Sequence, residues 1–176
     1  MNERSKPSHH SDTVGHTPKP PKLKLTVQYP THTVEPLPPR PWFRKWIKAA
    51  LSRDAEVVLR IVDEEEGRGL NRDFRNKDYA TNVLTFAYGE VSPEIQPQAP
   101  PNKHPLAGDI VLCAPVVENE ARQQRKSLTA HYAHLTVHGA LHLQGYDHDR
   151  DADAAVMEQL EADILGKLGY TDPYKG

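Results

Sequence analysis

A chain of 176 residues and 19.8 kDa has room for one domain with a proper core and too little for two comfortable ones. Its formal net charge of -2 at pH 7 gives no global basic footprint for nucleic acid, although a local basic groove is compatible with it. The single cysteine, Cys113, excludes an intrachain disulfide and a cysteine-based zinc cluster, and suits a reducing compartment. No apolar run approaches the roughly 18–20 residues of a membrane span, and the N-terminus lacks a signal peptide's apolar core. The expectation is a soluble, cytoplasmic protein.

Residues 1–21 are polar and proline-rich, with over half of the 16 prolines lying before Phe43. This predicts a solvated, dispensable tail, in which His9, His10 and His16 are incidental. Leu23, Leu25, Val27 and Tyr29 alternate with polar residues, the pattern of a half-buried strand. From Pro41 to Leu51 a helix is expected, with Trp42, Phe43, Trp46, Ile47, Ala50 and Leu51 forming one core-facing stripe. Val57 to Val62 reads as a second strand. Asp63 with Glu66 three residues on is an N-cap signature, and Glu64 and Glu65 suit the positive end of a helix. That helix continues through Leu70 and Phe74, both expected to face the core.

A third strand is predicted over Asn82–Ala87 and a fourth over Asp109–Cys113, led in by Gly108. Between them Glu90–Leu106 is proline-rich, an irregular loop placed to border a substrate groove. Pro115 opens a helix to about Lys126, and Ser127 can cap the next one, Leu128–Gln144. Apolar residues nearly all round this segment predict a central buried helix. The last helix begins near Asp151; Met157, Leu160, Ile164, Leu165 and Leu168 form its stripe, and Gly169 and Pro173 stop it. The sum is a single α/β (α+β) layered domain over residues 22–176, a mixed sheet of about four strands surrounded by helices.

The chemistry concentrates in His138-Gly139-Ala140-Leu141-His142-Leu143-Gln144-Gly145-Tyr146-Asp147-His148. His138 and His142, four apart, share one face of a helix. Gly145 is the residue type that ends a helix in a left-handed turn, which lets the chain bring His148 back to the same point. Three imidazoles leave the fourth tetrahedral position of a zinc ion open, as in catalytic rather than structural sites. The spacing invites comparison with the His-Glu-x-x-His-x-x-Gly-x-x-His pattern of zinc proteases, but Gly139 occupies the position of their general-base glutamate.

One Zn²⁺ per chain therefore specifies hydrolysis more firmly than substrate. For a phosphodiester, a guanidinium near the ion would offset charge on the non-bridging oxygens; Arg60, Arg68, Arg72, Arg75 and Lys77 are the candidates. His134, one turn before His138, is a candidate partner of a ligand or a proton shuttle, and an ordinary core histidine otherwise. Asp147 and Asp149 flank the third histidine. Either can orient an imidazole, and Asp149 can alternatively cap the last helix.

With the histidine run, Arg75-Asn76-Lys77-Asp78-Tyr79-Ala80-Thr81-Asn82-Val83-Leu84-Thr85-Phe86, Gly108-Asp109-Ile110-Val111-Leu112-Cys113 and Leu168-Gly169-Tyr170-Thr171-Asp172-Pro173-Tyr174 together, the chain resembles the YbeY family of bacterial rRNA maturation factors from about Leu23 onward. The resemblance implies a metal-dependent, single-strand-type endoribonuclease acting in 3′-end maturation of small-subunit (16S) rRNA and in ribosome quality control. It carries His138, His142 and His148 over as zinc ligands, and singles out Arg75 as a catalytic or RNA-contacting residue. It also implies rRNA and the small ribosomal subunit as partners, with small-subunit ribosomal proteins and the Era GTPase behind them. Asn76 and Ala80 stand where glycine and proline are expected, and Ala87 replaces another proline, which bears on how firmly Arg75 is held. The rival readings are a non-catalytic zinc-containing assembly factor and a zinc peptidase.

Overall fold

The computed structural model describes residues 19–33, 35–88 and 105–175. The predicted tail up to residue 18 and the loop residues 89–104 lie outside the described residues. Nine elements follow one another: β1 (Leu23–Gln28), α1 (Arg40–Ala50), β2 (Ala55–Val62), α2 (Glu64–Arg75), β3 (Val83–Tyr88), β4 (Leu106–Cys113), α3 (Ala114–Gln123), α4 (Leu128–Leu143) and α5 (Asp151–Lys167). The strands form one mixed sheet in the order β1-β2-β4-β3. β1, β2 and β4 are mutually parallel, and β3 returns antiparallel along β4. The expected four-stranded α/β domain is the one observed.

Alternation along the strands divides the core between the two faces of the sheet. Leu106, Ile110 and Leu112 of β4 join Leu23, Leu25, Val57 and Leu59 in the large cluster beneath α1, α4 and α5. Val111 and Cys113 point the other way, joining Val62 and Leu84 in a small cluster with Leu70 and Val116 against it. The large cluster is anchored by Phe43, Trp46 and Ile47 of α1, all essentially inaccessible, each contributing about 1.5–3 kcal/mol of burial. α1 also covers the free edge of the sheet: Arg40 and Arg44 donate to the carbonyls of Leu25 and Leu23 at 2.7 and 2.8 Å, groups an unprotected edge would leave open.

The local signals are met where they depend on neighbouring residues. Asp63 accepts from the Glu66 amide at 2.8 Å, and Ser127 accepts from the Ala130 amide at 3.1 Å. Both caps satisfy an amide that the first turn of a helix leaves without a partner.

Phe74 departs from expectation, at 65% exposed. The residues of α2 that bury are Gly67 and Asn71, and Leu70 reaches the core only in part. A Cβ on Gly67 would lie 3.0 Å from the Cys113 sulfur, so the helix rests on the sheet there. Its last turn leaves Phe74 edge-on against Phe86, ring centroids 5.0 Å apart, rather than beneath a helix. β4 also starts earlier than its sequence pattern suggests. Leu106, Ala107 and Gly108 pair with Ala55, Glu56 and Val57, because register with β2 supplies hydrogen bonds that the glycine-containing pattern does not advertise.

Candidate metal centre

α4 is the helix on which the site is built, and it buries most of its circumference. Its approach to the sheet is set by two glycines. A Cβ on Gly108 would stand 2.6 Å from Leu143 Cδ2 and from the Phe86 carbonyl, and one on Gly139 would stand 3.0 Å from Ile110 Cγ2. Gly139 is therefore a contact with β3 and β4. The position that carries a catalytic glutamate in zinc proteases is here spent on packing, and the peptidase reading has no residue to rest on.

The other side of α4 carries His138 and His142. The helix ends in paired reverse hydrogen bonds, Gly145 N–H to the His142 carbonyl at 3.0 Å and Tyr146 N–H to the Leu141 carbonyl at 3.3 Å. Gly145 has a φ of 97°, a left-handed conformation that a side chain would strain. Gln144 locks this turn to the body of the protein. Its amide group donates to the Ala50 carbonyl at 2.7 Å and accepts from the Ser52 amide and hydroxyl at 2.9 Å. So fixed, the chain returns His148 to the pair. Ring nitrogens of His138, His142 and His148 all lie within 4.8 Å of one another, and the three together can hold a metal ion.

The donor set suits a cation. Metal ligation needs a neutral imidazole. Burial, with the rings of His138 and His148 beside it, pushes His142 down to about 4, so it stays neutral at ordinary pH. The carboxylate that orients His138 is not Asp147 or Asp149 but Glu161, from α5. Asp147 accepts from the Asp149 amide at 3.3 Å, and α5 begins at Arg150 without a side-chain cap. Glu161 is fully buried, with one oxygen on His138 Nδ1 and the other shared by the Tyr174 hydroxyl and, at 3.3 Å, His134 Nε2. Burial would raise this carboxyl, but the hydrogen bonds with His134 and His138 outweigh it and hold it down at about 2.

Neither Glu161 nor Tyr174 was singled out from sequence. The signal for Glu161 was present: a charged residue four from Met157 and four from Leu165, inside an otherwise apolar stripe. His134 is placed as a partner of Glu161, one residue removed from the ligands. His131 is buried against α3, its Nε2 3.5 Å from a Glu120 oxygen. Cys113 is buried and pushed up to about 11 by that burial, which leaves it inert as a nucleophile.

The basic candidates separate sharply. Arg60 pairs with Glu66 and with Gln28 at 3.1 Å, Arg68 makes a bidentate pair with Asp78 at 2.8 and 2.9 Å, and Arg72 lies 3.6 Å from Asp73. Arg75 ends α2, exposed, with no ion pair or side-chain hydrogen bond among the described residues. It is near enough to the histidines that its charge is one of the influences lowering His142. Asn76, where glycine was expected, has a φ of 55°, and its amide donates to the Arg72 carbonyl at 3.1 Å. Asparagine tolerates this left-handed conformation, so the turn behind Arg75 keeps its shape.

Taken together, these observations describe a single α/β domain with a three-histidine cluster that can hold a metal ion, and an exposed arginine whose charge is felt at His142. The family profile described as Endoribonuclease YbeY matches residues 30–169. A protein of Nitrosospira multiformis named Endoribonuclease YbeY is 68% identical over 161 residues, 90% of this chain and 85% of that one. Its counterpart of the same name in Nitrosomonas europaea is 61% identical over 153 residues, 87% and 85% of the two chains. A solution structure from Thermotoga maritima aligns at 21% identity and a TM-score of 0.47, covering 88% of this chain and 99% of that one. The chain belongs to the YbeY endoribonuclease family.

Proposed function

We propose that this protein is a zinc-dependent endoribonuclease that cuts single-stranded precursor rRNA in the maturation of the small ribosomal subunit. The observation that carries the reading is the convergence of three imidazoles beside an exposed, unpaired Arg75, in a chain of the YbeY family. His138, His142 and His148 would hold the ion, a three-ligand set of the kind that catalytic sites use. When bound, the ion supplies a Lewis acid and a nucleophile available near neutral pH. Arg75 binds the scissile phosphate and offsets the charge that builds on its non-bridging oxygens as the bond breaks.

The surroundings favour an unpaired strand. Phe74, next to Arg75, presents an exposed ring on which an unstacked base can lie, and Lys77, exposed and without an ion pair among the described residues, adds a further cation to this corner. This local basic end offsets a net charge of -2 that would otherwise give weak non-specific RNA affinity. Specificity then comes from the ribosomal context, with the small subunit, its proteins and the Era GTPase as the partners, in the cytoplasm. No described helix is long and apolar enough to cross a membrane.

The test is cleavage of a precursor small-subunit rRNA fragment by zinc-loaded protein beside His142→Ala. Cutting should vanish in the variant while its circular dichroism stays unchanged. Equal cutting by both proteins would sink the reading. The product ends separate two routes: a 2′,3′-cyclic phosphate means attack by the neighbouring ribose hydroxyl, and a plain phosphate means attack by water.

A further inference from the structure

We infer that Glu161, held in place by Tyr174 of the C-terminal segment, is a positioning residue of the metal centre, fixing His138 with Nε2 toward the ion and placing a negative charge behind the ring. The inference rests on the reading that the three histidines bind a metal.

Its starting point is a residue that the fold alone does not explain. Glu161 lies on the inner face of α5 between Met157 and Leu165, with no accessible surface. A carboxylate in such a place costs several kcal/mol unless it is hydrogen-bonded throughout. A leucine there would extend the stripe at no such cost. What satisfies Glu161 is a set of hydrogen bonds from two imidazoles and a phenol.

An ionised carboxylate only accepts hydrogen bonds, so each of those partners must donate. For His138 that places the hydrogen on Nδ1 and the lone pair on Nε2, which is the atom left for the cluster with His142 and His148. A hydrogen on Nε2 instead would end ligation. Negative charge behind the ring also raises the basicity of the ligand nitrogen. Tyr174 fits the same purpose. Burial and the Glu161 carboxylate hold its hydroxyl protonated, so it remains a donor. Its own position is kept by the Tyr174 amide, which donates to Asp172 at 2.9 Å, and by its ring against His134, centroids 5.4 Å apart. Tyr174 thus reaches from the C-terminal segment to the carboxylate that orients His138.

The experiment measures metal binding without RNA, on the full chain, with Zn²⁺ by chelator competition and Co²⁺ by its visible absorption. Glu161→Gln keeps the shape and can still accept from His138 Nδ1, but loses the charge; Tyr174→Phe removes one donor from a partly exposed residue. Zinc affinity should fall about 10–100-fold in Glu161→Gln and less in Tyr174→Phe, with a changed cobalt spectrum in the first. If both variants bind zinc like the unaltered protein and lose only thermal stability, Glu161 is a structural residue and the inference is overturned. Should Glu161→Gln fail to fold, an unchanged zinc affinity in Tyr174→Phe overturns it equally. Failure of the unaltered protein to retain zinc would instead overturn the metal reading itself.

Discussion

The two sides of the candidate site are built in opposite ways. On the α4 side, Glu161 holds His138, Gln144 holds the helix end, and Gly108 and Gly139 seat the helix face against the sheet. On the α2 side, Arg75 ends the helix and Lys77 follows its cap, both exposed, beside an exposed Phe74. The difference follows the work each side is given. A metal needs ligands held within a fraction of an ångström, and a buried helix supplies that rigidity. A phosphate arriving on a large flexible substrate needs a cation that is unpaired and accessible until the substrate binds. Arg60, Arg68 and Arg72 already have acidic partners, and among the described residues Arg75 has none.

The largest effect that would sharpen this contrast is Arg75→Ala. Turnover on precursor rRNA should drop about 10²–10³-fold, the scale of losing one strong transition-state donor, while zinc affinity stays unchanged. A fall in zinc affinity alongside turnover would show the two sides to be one unit. Next comes Gly108→Ala, whose Cβ meets a backbone carbonyl as well as Leu143. It should cost about 1–3 kcal/mol in a denaturation midpoint, because β3 or α4 must shift. It should also weaken zinc binding, since α4 carries the ligands; a neutral result would mean that the α4 side is softer than its packing implies.

A smaller effect is expected at His131, a buried histidine of α4 outside the three-histidine cluster. Burial lowers its pKa from 6.5, with Glu120 opposing and His134 and Lys126 assisting. The folded state therefore binds this proton less readily than the unfolded chain. Its contribution to stability is complete above about pH 6.5 and is lost as pH falls below that value. His131→Phe should flatten the decline in thermal stability of the metal-free protein between about pH 7 and 5, and an unaltered slope would exclude that assignment. The smallest effect belongs to removal of residues 1–21. Cleavage and zinc affinity should both stay within about twofold, and a larger loss would give the tail a part in RNA binding.

What could be read directly from the chain was whatever depends on residues close in sequence. The four-residue step from His138 to His142, the stop at Gly145 and the return to His148 are a local design, carried by helix pitch and one left-handed turn. The caps at Asp63 and Ser127 and the alternation in β1 are local in the same sense. They made the class of fold legible, and with it the three histidines that the fold brings together. Tertiary structure decided the rest. Glu161 meets His138 across 23 residues and Tyr174 across 13, so neither spacing is periodic and nothing local marks them as partners. Phe74 fits a helical stripe in sequence, yet it meets the sheet only edge-on at Phe86 and stays 65% exposed. Among five basic residues in one stretch, only the placement of acidic neighbours left Arg75 without an ion pair beside the histidines. Helix periodicity states which residues share a face; it takes the packed chain to state what that face meets.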